Sequence, residues 1–288
     1  MLPDSLIDHL KHHLGTTHLQ FARVAGGSMS NAYHVVSGDG RHWFLKTNSA
    51  TKFPHLFRCE AAGLKLLSGS GALAIPAVNG VLENQDWQAL LLQWLEPGER
   101  SPSFWTTLGS SLARLHRSTG DCFGGTDDNY MGAVPQTNRS STSWADFFRE
   151  QRVEPLLRQC IDAGLLAPRA SGWWNVVAAR LDDLFSPSPP ALLHGDLWHG
   201  NVMCGPLSAP FLVDPAVYYG HPAMDLGMTR LFGVFDEAFY DAYFGESIAG
   251  IITPEGESIA TLYPLLVHVH LFGRMYTAKT ETVLRRFG

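Results

Sequence analysis

The chain of 288 residues is short of cysteine, of charge and of long apolar runs, and each shortage removes a class of protein. Its four cysteines, Cys59, Cys122, Cys160 and Cys204, are scattered, with no CxxC and no His/Cys cluster. That spacing supports neither a structural zinc site nor a small disulfide scaffold, so reduced, packed thiols are expected. The most apolar stretch, Leu262 to Phe272, is too short to span a bilayer and contains Pro264, His268 and His270. The opening residues MLPDSLIDHL carry Asp4 and Asp8 where a secretory signal would be positive. A cytoplasmic protein with no membrane partner is therefore expected. Basic residues are scarce too: 21 Lys and Arg against 27 Asp and Glu leave a formal charge of −6 and a pI near 6.1. Such a chain lacks the electropositive face that gripping a nucleic-acid backbone requires.

What remains is an ordinary globular composition, 45% hydrophobic and 17% charged, long enough to bury a core without staples. Hydrophobic periodicity predicts a first helix over Pro3 to Leu14, stopped by Gly15. Strands are predicted at Leu19 to Val24, Ala32 to Val36 and His42 to Lys46, with Gly38-Asp39-Gly40 as a hairpin turn. A helix over His55 to Leu67 and strands at Ala77 to Leu82 and Gln88 to Trp94 complete an antiparallel five-stranded unit. Glu96-Pro97-Gly98-Glu99 breaks the pattern and divides the chain into residues 1–95 and 96–288. The second part reads as mostly helical: Ser103 to Arg117, Ser143 to Ala163, Ala170 to Phe185, Ala223 to Phe232, Glu237 to Phe244 and Glu257 to Thr280. Within it, short strands at Ala191 to Leu193 and Phe211 to Val213 flank a polar loop.

That loop, His194-Gly195-Asp196-Leu197-Trp198-His199-Gly200-Asn201, followed by Asp214, carries the chemistry. Asp196, Asn201 and Asp214 stand in the order of the protein-kinase catalytic loop and its later metal-binding Asp. An Asp can accept the proton of an attacking hydroxyl, while Asn and a second Asp offer hard oxygens to a Mg²⁺ that bridges nucleotide phosphates. The first part of the chain supplies the matching pieces. Gly26-Gly27-Ser28 joins two strands and lets backbone approach phosphates. It lacks the G-K-[ST] of a P-loop and precedes a strand rather than a helix, which also excludes a Rossmann fingerprint. Lys46 ends the third strand where the α- and β-phosphates need a cation, Glu60 on the next helix can hold it, and Gln93-Trp94-Leu95 would be the hinge facing adenine. The expected class is α+β, a protein-kinase-like bilobal fold.

Position 195 is Gly, not the Arg that senses a phosphorylated activation segment, and the Asp214-to-Asp225 interval is too short for such a segment. A small-molecule kinase that needs no phosphorylation follows. Asp225, opening a helix, would brace the catalytic loop together with His194.

The blocks His194 to Asn201, Asp214-Pro215-Ala216-Val217-Tyr218-Tyr219-Gly220-His221-Pro222 and Met224-Asp225-Leu226 resemble the fructosamine kinase (ketosamine-3-kinase) family. So do Gly26 to Tyr33, Asp128-Asn129-Tyr130-Met131-Gly132, Pro135 to Asn138 and Trp144 to Phe148. The resemblance implies ATP-dependent phosphorylation of the 3-hydroxyl of a free or protein-linked ketosamine, after which loss of phosphate can release the amine. It also implies Asp196 as base, Asn201 and Asp214 as Mg²⁺ ligands, and Lys46 with Glu60 as the phosphate clamp. Trp198 would be a platform for the sugar, with His199, Asn129, Gln136 and Asn138 near the substrate entrance. Two positions depart from the family: His199 replaces a small polar residue and Pro222 a charged one, both near the expected pocket. Ser28 stands where some members carry cysteine, so no thiol switch is expected there. A monomer is expected. The alternatives are an aminoglycoside- or choline-type phosphotransferase and an inactive nucleotide-binding module.

Overall fold

In the computed structural model, residues 2–24, 30–248 and 251–288 are described; Gly26, Gly27 and Ser28 lie outside them. The first helix, α1 (Asp4–Leu14), buries Leu6 and Leu10 and ends at Gly15 in the left-handed conformation that glycine favours. Five strands follow: β1 (Leu19–Val24), β2 (Asn31–Ser37), β3 (His42–Ser49), β4 (Val78–Glu83) and β5 (Trp87–Gln93). They form one antiparallel sheet in the order β1-β2-β3-β5-β4, with α2 (Leu56–Gly69) inserted between β3 and β4. The two-residue period of a strand sends alternate side chains to opposite faces, and both faces find cover. On one, Val35, Trp43, Leu45, Ala89 and Leu91 pack with Leu6 and Leu10 of α1. On the other, Leu90 and Leu92 pack with Phe57, Ala61 and Leu64 of α2.

From Trp94 to Arg100 there is no helix or strand. Beyond it come α3 (Phe104–His116), a hairpin of β6 (Asn129–Met131) and β7 (Val134–Gln136), α4 (Trp144–Phe147) and α5 (Glu154–Asp162), the last two joined by a π-helical turn over Phe148–Val153. α6 (Ala170–Ala178) and α7 (Leu181–Leu184) lead to β8 (Ala191–Leu193). After the loop of residues 194–201 come β9 (Val202–Cys204), β10 (Pro210–Leu212) and β11 (Tyr218–Gly220), then α8 (Ala223–Phe232), α9 (Glu237–Tyr243), α10 (Pro254–Ala260), α11 (Leu262–Phe272) and α12 (Thr277–Phe287). The mixed helix and strand content, with one five-stranded antiparallel sheet and a helical carboxy-terminal part, is the expected α+β class.

Three long helices expected from periodicity are broken. The one over Ser143 to Ala163 contains the π-turn, and the one over Ala170 to Phe185 stops between Ala178 and Leu181. The last is cut into α10, α11 and α12, with a 3₁₀ turn over Gly273–Tyr276 between the final two. Gly273 has φ +74°, which ends α11 whatever the hydrophobic pattern continues to ask for. The four cysteines are all free thiols, as expected. Among the described residues no helix is long and apolar enough to cross a membrane.

Candidate active site

Lys46 lies near the middle of β3, opposite Leu90 of β5, with the residue only 8% exposed. Its Nζ donates to both carboxylate oxygens of Glu60 on α2, at 2.8 and 2.7 Å, and to Oδ1 of Asp214 at 3.0 Å. Burial by itself would lower the lysine pKa, but the charges of Asp214 and Glu60 outweigh it and raise the value, so the ammonium is held charged. The Lys46–Glu60 pair is inward, whereas the Asp214 side chain remains 44% exposed. One cation therefore ties the sheet, α2 and the segment after β10 together.

The candidate catalytic loop leaves β8 at Leu193 and returns through a 3₁₀ turn over His199–Asn201. Asn201 Nδ2 donates to the Asp196 carbonyl at 2.8 Å, to Asp196 Oδ2 at 3.2 Å and to the Asp214 carbonyl at 3.4 Å. The Val213 amide donates to the Asn201 carbonyl at 3.1 Å. Asp196, Asn201 and Asp214 thus meet on one face of one site, joined to Lys46 and Glu60 as the sequence led one to expect. Burial, reinforced by the neighbouring Asp214 charge, pushes the Asp196 carboxyl up to about 7 against the opposing Asn201 hydrogen bond. Asp214 itself has φ +55°, a left-handed conformation that Asp tolerates better than most residues.

Beneath the loop, His194 and Asp225 fix the backbone. His194 Nε2 donates to the Val213 carbonyl at 3.0 Å, leaving Nδ1 to accept from the Asp196 amide at 3.3 Å. Burial lowers its pKa, consistent with this neutral tautomer. The buried Asp225 carboxylate accepts from the amides of His194 at 2.8 Å and Gly195 at 2.9 Å, and from His116 Nε2 at 3.1 Å. His116 Nδ1 in turn meets the Tyr243 hydroxyl at 2.7 Å. Burial alone would raise Asp225, but the His116 hydrogen bond and charge, with the Gly195 amide, hold it below the usual carboxylate range. Gly195 has φ +82°, and a Cβ there would collide with the Ala216 carbonyl. Glycine is required where this loop passes the segment following Asp214.

A second layer went unread in the sequence. Gln136 Nε2 donates to Asn129 Oδ1 at 2.8 Å and to the Ala216 carbonyl at 3.2 Å, while Tyr263 donates to Gln136 Oε1 at 2.9 Å. Asn129 Nδ2 donates to the Val217 carbonyl at 2.7 Å. These amides secure the backbone just after Asp214 from below. Gln136 and Asn138, expected at the substrate entrance, are instead only 1% and 2% exposed, and both ends of the Asn129 amide are occupied. Sequence reasoning misplaced them because a polar residue in or just after a three-residue strand looks like a loop residue until its partners are known.

Arg152, on the π-turn, is fully buried; it donates to the Thr137 carbonyl at 2.6 Å and to Asn138 Oδ1 at 2.7 Å. Its guanidinium lies over Tyr218, Phe147 and Tyr263 at 4.1, 4.5 and 5.3 Å from the ring centroids. Among the described residues no carboxylate forms an ion pair with it. No motif announced this residue; the only sequence clue was an Arg one turn from the Phe147-Phe148 pair.

The remaining expected positions lie around this centre. Trp198 sits between Asp196 and Asn201 in sequence, with its ring folded over Gly200 so closely that a Cβ there would strike the indole. His199 meets that ring edge-on at 5.3 Å. Gln93 ends β5, and Trp94 and Leu95 follow where the strand ladder has stopped. The Trp94 side chain stacks on His34 with centroids 3.7 Å apart and donates to Glu96 at 2.9 Å.

The model of the family described as fructosamine kinase matches residues 3–287. The chain belongs to the fructosamine kinase family. A probable ketoamine kinase of Synechocystis is 35% identical over 269 residues, covering 91% of this chain and 88% of that protein. A candidate fructosamine-3-kinase from Thermobifida fusca, known from a crystal structure, superposes with a TM-score of 0.87 at 32% identity, over 99% of this chain and 98% of that one. A macrolide 2′-phosphotransferase from Brachybacterium faecium has a TM-score of 0.59 at 17% identity over 99% and 97% of the two chains, a likeness of fold alone. This fructosamine kinase family member therefore has the fold of the kinase-like phosphotransferases, and membership of a kinase family brings ATP as substrate and use of a divalent cation.

Proposed function

We propose that this protein transfers the γ-phosphoryl group of ATP to the 3-hydroxyl of a ketosamine, with Mg²⁺ as the divalent ion. The observation that carries the reading is the convergence of Asp196, Asn201 and Asp214 with the Lys46–Glu60 pair. Family membership adds the acceptor class. In this reading residues 1–95 and 96–288 are two lobes with the nucleotide between them, and the backbone of Gln93-Trp94-Leu95 meets adenine. Gly26, Gly27 and Ser28 would lie over the phosphates.

The donor set fits a hard cation that keeps water and phosphate ligands. Among the described residues no cluster of three His, Cys, Asp or Glu could bind a metal unaided. Asn201 spends its Nδ2 on Asp196, which leaves Oδ1 for a cation, and Asp214 presents a half-exposed carboxylate. These two residues would hold the ion, whose charge when bound would offset that of the phosphates. Lys46 would take the α- and β-phosphates, steadied by Glu60.

Asp196 accepts the proton of the sugar 3-hydroxyl as the new O–P bond forms and the bond from the γ-phosphorus to its bridging oxygen breaks, releasing ADP. Trp198 offers a flat apolar face to the sugar and His199 a polar edge beside it. In the product, proton loss from C1 toward the C2 carbonyl lets the C3 phosphate depart; addition of one water then frees the amine. Repair of glycated amines is the consequence.

An acceptor panel of a fructosamine, a ribulosamine and kanamycin tests the reading directly. Phosphate transfer to a ketosamine with little or none to kanamycin is expected; preferential transfer to kanamycin overturns it. Asp214→Ala is expected to abolish magnesium-dependent ATP binding, measured by calorimetry with and without magnesium. Unchanged affinity in the presence of magnesium would remove Asp214 from the proposed ligand set.

A further inference from the structure

A ladder of aromatic rings starts in the catalytic loop and runs outward to solvent. Trp198 meets Phe232, at the end of α8, with ring centroids 6.1 Å apart. Phe232 meets His268 of α11 at 4.8 Å, and His268 meets Tyr276 at 4.8 Å and Phe272 at 5.4 Å. The outer end is exposed: Phe272 is 48% accessible, and its neighbour in the 3₁₀ turn, Met275, is 79% accessible. Of the six large hydrophobic residues exposed among the described residues, Phe272 belongs to this ladder, Met275 adjoins Tyr276 in sequence, and Val234 lies two residues beyond Phe232. Apolar surface left out in this concentration marks a place meant to be covered.

The imidazole fits the same purpose. His268 Nδ1 lies 2.7 Å from the Pro264 carbonyl one helical turn back, so that nitrogen carries the proton and Nε2 is an acceptor. Burial lowers its pKa, which keeps the ring neutral. A neutral imidazole between Phe232, Phe272 and Tyr276 behaves as one more flat ring with a single acceptor at its edge. The nearby Lys279 ammonium is turned to the Leu231 carbonyl at 2.8 Å, and the Arg274 guanidinium to the Gly164 carbonyl at 3.2 Å. Both charges thus have backbone partners of their own.

We propose that this ladder is the subsite for the amine substituent of the ketosamine, and that it selects small acceptors whose amine carries an aromatic or apolar group. The inference rests on the ketosamine-kinase reading and adds to it the chemical class of the amine substituent. The rings are continuous with the proposed site: Trp198 stands two residues after the proposed base Asp196 and three before the proposed ligand Asn201, and its indole meets the Phe232 ring that begins the outward run. Offset and edge-to-face contacts with Phe232, His268, Phe272 and Tyr276 suit a planar group. A protein-linked ketosamine would instead bring a flexible stem and a polar backbone to the same surface.

The test compares phosphorylation of N-fructosyl-phenethylamine, N-fructosyl-glycine and Nα-acetyl-Nε-fructosyl-lysine by the full-length protein. Burial of the phenyl ring should give the first acceptor roughly ten-fold or more advantage in kcat/KM over the glycine adduct, chiefly through KM. In Phe272→Ser, an exposed position where folding is not at stake, that ratio should fall several-fold, and His268→Ala should lower it further. Val176→Ser, equally exposed but on α6, serves as the control and should leave the ratio unchanged. A ratio near one in the unmodified protein, or a ratio indifferent to Phe272→Ser and His268→Ala, overturns the subsite while leaving ketosamine phosphorylation standing. Preference for the lysine adduct over the phenethyl adduct also overturns it. Absence of transfer to all three defeats the functional reading itself.

Discussion

Asp196→Asn is expected to cut turnover by roughly 10²–10⁴ while leaving ATP affinity nearly unchanged. The substitution preserves shape and the possibility of a bond to Asn201, but removes the basic oxygen that would take the hydroxyl proton. Catalysis of phosphoryl transfer is mostly positioning and electrostatics, so loss of one positioned group should appear in kcat rather than in nucleotide binding. Steady-state kinetics with a ketosamine, paired with ATP titration in the same buffer, separates the two quantities. Turnover near that of the unmodified enzyme would show that the hydroxyl proton leaves by another route.

The second large effect is expected at a residue that braces the loop from beneath rather than in its chemistry. Asp225→Ala should destabilise the protein by about 3–5 kcal/mol, because it strands three buried donors, the His194 and Gly195 amides and His116 Nε2. The folded-state pKa of Asp225 is depressed, so its contribution is present above the unfolded value near pH 4 and is lost as pH falls through the folded value. Denaturant titration at neutral pH should therefore show the full difference, and the gap between variant and parent should narrow on acidification below about pH 4. A variant with the stability of the parent at neutral pH would mean that other groups satisfy these donors.

The proposed reactive centre was legible in the sequence because the chemistry proposed for it dictates residue types at fixed order. In the proposed roles, Asp196, Asn201, Asp214 and Lys46 could not be exchanged for similar residues without losing a proton acceptor, a cation ligand or a charge. The sheet was legible for a simpler reason: period-two alternation with Gly38-Asp39-Gly40 between strands leaves few other readings. What lay hidden were short elements such as β6, β7 and β11, whose three residues each are too few to establish a period. Breaks in the long helices were hidden too, since packing against neighbours and a left-handed Gly273 decide them. Arg152 was invisible because a cation resting on ring faces and carbonyls has no partner of opposite charge to search for. The same blindness placed Gln136 and Asn138 at an entrance when they are interior braces.

One consequence follows from the short run between Asp214 and Asp225. Tyr218, Tyr219 and Gly220 pair with β8 residue by residue, Tyr219 exchanges two backbone bonds with Gly124, and Ala216 and Val217 are pinned by Gln136 and Asn129. In signalling kinases the corresponding stretch is a gate that swings with modification. Here it is stitched down along its length, a fixed floor rather than a door. Any motion that admits acceptor and nucleotide must therefore come from elsewhere in the fold, because this stretch is already spoken for by its neighbours.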